Sequence, residues 1–486
     1  MYRGVTSLKR AIVVGSGPNG LSAAIALAKA GVAVTVYEAE NMPGGSVRSE
    51  SFTLPGFLHD AGAAVFPLTI ASPFLSTLPL HEHGLEWIEP DVPVAHPLDD
   101  GDAIAPLRDL DATVDLLGAD GKAWKQLMQP IVKAWPSLLK DALAPLSRWP
   151  SHPFAMARFG MHALPPATWL ARSRFKTVHA RALFAGLAGH ANIPLEFAGS
   201  AAPALVLAAA AHTTGWPIAR GGAQAITAAL VSLLRSLGGD VRLGSAIESL
   251  LDLPAADAVL LDVSARQFLR LAGTSVGKDD GEAFRSFRPA SGVCKVDWAL
   301  SQPIPWTAEL CRRAGTLHLG GTLDEIAASE RDAWEGRASA TPYVLLSQPS
   351  VFDDTRAPAG QHTAWAYCHV PNGSADDFTD RIEAQVERFA PGFRATILAR
   401  HTRTAPQMEA WNANLLGGDI SGGAMTLSQI FRRPALPPYR TPLRGVFLCS
   451  ASTPPGGGVH GMCGYYAAAV AARHMGISMP ALPTAS

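Results

Sequence analysis

The sequence predicts an α/β fold, a Rossmann-type nucleotide-binding domain joined to a mixed α+β second domain. Three observations carry this. The β-branched apolar run Ala11-Ile12-Val13-Val14 enters Gly15-Ser16-Gly17-Pro18-Asn19-Gly20, a GxGxxG turn. A second strand pattern, Val32 to Glu38, ends in an acid 18 residues after the third glycine. The chain has 486 residues, 48% hydrophobic and only 17% charged, enough core for two or three lobes and too little charge for disorder.

In the first unit, Leu21, Ala24, Ile25 and Ala28 recur at helical spacing and Gly31 ends the helix. Strand, turn, helix, strand and acid are in register for a dinucleotide site. Gly15 permits the tight turn, Gly17 admits a pyrophosphate to the backbone, and Gly20 lets helix and strand sit close. The helix N-terminus, opened by Pro18 and Asn19, offers unpaired N–H groups and a partial positive charge to phosphate. Glu38, followed by Ala39, can accept hydrogen bonds from both ribose hydroxyls, and an acid there makes NADP the poorest candidate.

A second glycine pair, Gly44-Gly45, and then Arg48 follow the acid. Near the other end, Gly445 to Cys449 reads as a strand, followed by Ser450 and the loop Ser452-Thr453-Pro454-Pro455-Gly456-Gly457-Gly458-Val459-His460-Gly461. Met462 to His474 then has helical character. Gly456, Gly458 and Gly461 match GxGxxG formally. No acid follows Asp419, however, so a second dinucleotide site is rejected. The loop and helix N-terminus are expected to face an electron-rich group instead. Between these ends, Arg220-Gly221-Gly222 precedes a helix with Ile226, Ala229, Leu230 and Leu233 on one face, and Ala258 to Leu261 is another buried strand.

These motifs, with Pro43-Gly44-Gly45, Lys295-Val296-Asp297-Trp298 and Gly417-Gly418-Asp419-Ile420-Ser421-Gly422-Gly423, run end to end. The chain resembles the phytoene-dehydrogenase-like FAD-dependent oxidoreductases of the phytoene desaturase and amine oxidase superfamily. The resemblance implies one bound FAD. It implies that Gly44, Gly45 and Arg48 reach its flavin end and diphosphate, that Ile247 sits against adenine, and that the loop Gly458-Val459-His460-Gly461-Met462 meets the isoalloxazine. One departure is Cys449-Ser450-Ala451-Ser452, which stands where many relatives carry Gly-Asp. Backbone or hydroxyl contacts from Ser450 must then substitute. Chain order implies a discontinuous FAD-binding domain of 1–70, 215–285 and 430–486, with a substrate domain of 71–214 and 286–429 containing a helical subregion.

In the substrate domain, Cys294, Val296, Trp298 and Leu300 alternate with Lys295 and Asp297 as a half-buried strand. Trp365, Tyr367 and His369 form one face of another strand, expected to line the substrate cavity with Asn414 and Gly417. The expected reaction is dehydrogenation or desaturation, with hydride passing from an apolar, isoprenoid-like substrate to flavin N5. His460 is the candidate acid or base. The alternatives are a flavin amine or alcohol oxidase, and a non-catalytic FAD-holding protein acting through partners.

Oxygen, a quinone or a protein is the expected electron acceptor, because no second fingerprint remains for a nicotinamide. Lys plus Arg (40) nearly balance Asp plus Glu (41), which argues against nucleic acid as a partner. Five scattered cysteines form no CxxC pair, and no metal site is expected. The run at 11–14 is too short for a signal-peptide core, and no apolar stretch approaches the roughly 20 residues of a spanning helix. The expectation is a soluble cytoplasmic protein, with peripheral membrane contact left open.

Overall fold

The computed structural model describes residues 8–482. The outermost parts of the expected first and last segments, 1–7 and 483–486, lie outside the described residues. Two sheets organise the fold. The first is five-stranded and entirely parallel, in the order Val446–Leu448, Ala258–Leu261, Arg10–Val14, Ala33–Tyr37, Asp240–Arg242. Parallel strands need both faces covered, which explains the continuous apolar runs in Arg10–Val14 and Ala258–Leu261 at the centre of the sheet. Helices Pro18–Lys29 and Met462–His474 pack together beside this sheet. A Cβ on Gly464 would stand 1.9 Å from the Asn19 carbonyl oxygen, so the last helix meets the first at backbone contact. The N- and C-terminal glycine clusters therefore share one corner of the molecule.

The second sheet has seven strands, in the order Ile397–Arg403, Gly292–Leu300, His362–Val370, Val344–Ser347, Ala314–Leu319, Val92–Pro97, Ala103–Ile104. All its pairings are antiparallel except Ala314–Leu319 with Val92–Pro97. The half-buried pattern expected for Gly292–Leu300 is corrected, because every residue of this strand is buried. It lies inside the sheet with both faces covered, and Lys295 and Asp297 are accommodated as an ion pair.

Two buried helices rich in alanine, Val178–Ala188 and Ala201–Thr213, pack on each other. Small side chains allow that close approach. Before them, Gly121–Lys133, Trp135–Ala142, Pro153–Ala163 and Ala167–Arg174 form the helical subregion, with Pro130 near the first break.

Candidate nucleotide and substrate cavity

One cavity of about 920 Å³ runs between the two sheets. At one end is the glycine turn. Gly15 (φ +97°) donates its N–H to Tyr37 O at 2.8 Å, tying the turn to the neighbouring strand. A Cβ on Gly20 would lie 2.2 Å from Gly15 O, so the helix can sit this close only without a side chain. Glu38 braces the turn from the side, accepting from Ser16 N (2.8 Å), Ser16 Oγ and Glu40 N (3.0 Å). The diglycine segment closes over it. Gly44 N donates to Ser16 Oγ, and a Cβ on Gly45 would reach 3.3 Å from Gly17 Cα.

The C-terminal loop forms the facing wall. Ser72 Oγ donates to His460 O at 2.6 Å, and Thr69 Oγ1 donates to Val459 O. His460 Nδ1 accepts from Met462 N at 3.0 Å, and Nε2 is buried without a well-formed hydrogen bond, the Gly456 and Gly457 backbone lying near the ring. Burial pushes this imidazole down to about 4, so it is neutral at neutral pH and its proton sits on Nε2. Arg433, fully buried, holds the loop from behind by donating to the carbonyls of Ser421, Gly422, Gly423 and Ala451.

Of the predicted nucleotide residues, Gly15, Gly17, Pro18, Asn19, Glu38, Ala39, Gly45, Arg48, Ile247, Ser450, Gly458, Val459 and His460 line the cavity. Gly20, Gly44, Gly461 and Met462 lie behind it. Gly20 packs against Gly15 and Asp262, Gly44 against Val47 and Thr227, and Gly461 (φ +68°) against Ser22 as it starts the last helix. Met462 is buried in the core. Their part is to shape the wall.

Trp365 and Tyr367 line the cavity with stacked rings, 5.8 Å between centroids and 9° between planes. His369 does not line it. Its ring is captured by buried Glu330, Nδ1 to Oε2 at 2.8 Å, which turns it into the layer beneath. Asn414 lines the cavity while pinning the edge of the first sheet, its Oδ1 accepting from Ser264 N and its Nδ2 donating to Asp262 O. Gly417 is also corrected. It sits against Asn372 outside the cavity, where a Cβ would lie 2.1 Å from Asn372 Oδ1.

Three cavity residues were missed as site residues. Asp262 caps the strand Ala258–Leu261, accepts from Gly20 N at 2.8 Å, and is pushed up to about 7 by burial, with Glu38 adding repulsion. An acid at the C-terminal edge of a parallel strand was the available signal. Lys295 stands on the cavity wall, paired with Asp297 and 5.2 Å from the Trp365 ring. His190 Nε2 faces His318 Nε2 at 2.9 Å, and burial pushes His190 down to about 3. Nothing local in the sequence marks it.

At the nucleotide end, Asn19 Oδ1 is buried without a hydrogen-bond partner, His460 Nε2 on the loop is buried without a well-formed one, and Arg48 Nε has no hydrogen bond but an ion pair with Glu50 at 3.7 Å. Donors and acceptors so placed are completed by a polar ligand with both characters.

Comparisons with known proteins agree with this architecture. Residues 13–77 match the family described as NAD(P)-binding Rossmann-like domain. Pyridine nucleotide-disulfide oxidoreductase domain-containing protein 2 of Mus musculus is 35% identical over 158 residues. That alignment covers 30% of this chain and 27% of the mouse protein, so it spans about a quarter of that relative's length. The neurosporene-forming phytoene desaturase of Rhodobacter capsulatus is 23% identical, over 96% of this chain and 94% of its own. In fold, the chain is similar to a putrescine oxidase, with a TM-score of 0.63 at 17% identity, covering 96% of this chain and 100% of that one. Taken with the parallel sheet and the cavity on its C-terminal edge, these likenesses show a Rossmann-like domain set in a fold similar to that of the putrescine oxidase.

Proposed function

We propose that the chain is an FAD-dependent dehydrogenase or desaturase acting on an apolar, isoprenoid-like substrate. The observation carrying this reading is one cavity, continuous from the glycine turn and Glu38, past the loop at His460, to the apolar wall around Trp365 and Tyr367. Its length suits an extended dinucleotide with a substrate at one end, and the Asn19, Arg48 and His460 atoms without well-formed hydrogen bonds suit a ligand that both donates and accepts. When bound, FAD would supply the hydride acceptor.

In this reading the segments 1–70, 215–285 and 430–486 hold the cofactor, supported by the five parallel strands drawn from them. Gly15 to Gly20 and Glu38 take the diphosphate and ribose, Ile247 the adenine, and Ser450 and Gly458 to Met462 the flavin side. Helix Met462–His474 presents its N-terminus there, where it favours negative charge. The segments 71–214 and 286–429 take the substrate. Trp365, Tyr367 and the Ala202–Leu207 wall orient it and exclude water. His460 Nε2–H is the hydrogen-bond donor available at the reacting end.

The stacked Trp365–Tyr367 pair also favours an amine oxidase, since such a pair can flank a substrate nitrogen. Lys295 weighs against it. Burial lowers the Lys295 pKa and Asp297 pairs with it, yet with Arg403 close by it keeps this wall basic and disfavours a protonated amine. Oxygen, a quinone or a protein is the proposed final acceptor, in the cytoplasm or at a membrane surface. The test is anaerobic addition of apolar alkenes and of amines to the purified yellow protein. Bleaching of the flavin band by the apolar set supports the reading. Colourless protein that takes up no FAD on reconstitution refutes it.

A further inference from the structure

The chain is almost neutral overall, yet its charge is unevenly placed. From 142 to 195 there is no Asp or Glu, against six Arg and Lys, and from 420 onward there is again none. The fold brings these two stretches together. Arg148 lies 3.4 Å from the Tyr466 hydroxyl, and a second cavity of about 840 Å³ lies between them. Arg148, Arg440 and Arg473 wall it beside Tyr465 and Tyr466, and among the described residues no carboxylate lines it.

Next to this basic groove the surface is apolar. Trp149 is 82% exposed, Phe154 91%, Met161 66% and Trp169 60%. On the helix Pro153–Ala163, at 100° per residue, Phe154, Arg158 and Met161 fall within about 60° of arc. The opposite face of the same helix is also apolar, with Phe159 lining the large cavity and Ala163 buried. A helix that needed only to cover the core would carry polar residues outside. This one shows aromatic and aliphatic groups outside with Arg158 between them, and the nearby Asp141 is buried and taken up by the Ser151 and His152 N–H groups. No helix among the described residues is long and apolar enough to cross a membrane.

We propose that this face is a docking surface for an anionic lipid bilayer. Trp149, Phe154 and Met161 enter the boundary between headgroups and acyl chains, and Arg148 and Arg158 meet lipid phosphates. Aromatic residues favour that boundary, and each basic residue near an anionic surface adds attraction that salt screens. The proposal is independent of the redox reading, because it needs only the surface and not the chemistry.

The test is co-sedimentation of the full chain with phosphatidylcholine vesicles, with and without phosphatidylglycerol. The expected result is pelleting with the anionic vesicles only, weakened by added salt, with a blue shift of tryptophan emission. Phe154→Ser with Met161→Ser, both exposed and outside the core, should reduce partitioning at least about tenfold. Arg158→Glu should reduce it on the order of tenfold. Thermal melting checks that each variant is folded. No pelleting with either vesicle, or binding indifferent to lipid charge, overturns the proposal. So does a concentration-dependent dimer that the double substitution abolishes, since the face would then belong to a second copy.

Discussion

Replacing Asp262 with Asn removes one ionisable group from the edge of the parallel sheet while keeping its shape and an oxygen for the Gly20 N–H. The residue is 9% exposed, and burial, with the Glu38 carboxylate adding repulsion, pushes its carboxyl from 3.8 to about 7. The Gly20 hydrogen bond favours the charged form but does not win. A raised acid means that the folded protein keeps a proton which the unfolded chain gives up above the ordinary aspartate range. Stability is therefore highest below that range, falls as pH rises toward 7, and is flat beyond. Three units at 1.36 kcal/mol each give a full penalty of about 4 kcal/mol. Of this, roughly 2–3 kcal/mol develops between about pH 5 and about pH 8.

Urea unfolding of both proteins, stripped of bound nucleotide, measures the effect. The stability difference between variant and wild type should grow in the variant's favour by that amount across the range, whatever constant offset the substitution brings. Nucleotide binding should follow the same curve. A Cβ on Gly17 would lie 2.6 Å from Asp262 Oδ2, so an anion approaching Gly17 also approaches this carboxyl. Wild-type affinity should fall above about pH 7 and that of the variant should not. Parallel stability curves for the two proteins would show that Asp262 ionises normally in the fold and would refute the reasoning.

Three further outcomes test the packing and the site. Gly20→Ala places a methyl group against the backbone of Gly15, which cannot yield without opening the turn. A loss of about 3 kcal/mol in melting experiments, with loss of bound flavin, is expected, whereas Gly160→Ala, with open space around it, should gain up to about 1 kcal/mol. Lys295→Met leaves Asp297 buried and alone, where Oδ2 already lacks a partner, and should cost about 3–5 kcal/mol in urea. The double change Lys295→Met with Asp297→Leu should recover most of that. His460→Ala should retain flavin, read from its absorbance, while slowing anaerobic bleaching by substrate, and unchanged kinetics would remove His460 from the reaction.

What the sequence made legible tracks how far each residue's partners lie along the chain. The unit from Arg10 to Glu38 could be read because its turn, helix and acid are constrained by neighbours a few residues away. The meeting of the termini was readable by likeness, and its physical cause, Gly464 resting on Asn19, is visible only in the fold. The strand His362–Val370 shows the limit. Alternation correctly puts Trp365, Tyr367 and His369 on one face, but Glu330, from the helix Leu323–Trp334, draws His369 away from the cavity. Lys295 and Asp297 misled for a related reason. A polar pair at alternate positions normally signals a solvated face, and here each is buried by the charge of the other. Asp262 is the extreme case. Its neighbours in sequence describe only a strand end, and its partner Gly20 is 242 residues away. Ligand-facing edges of parallel sheets gather such residues because every crossover returns the chain to the same edge. An acid just after any strand of that sheet is therefore a site candidate from topology alone, and the Asp262 measurements test that rule directly.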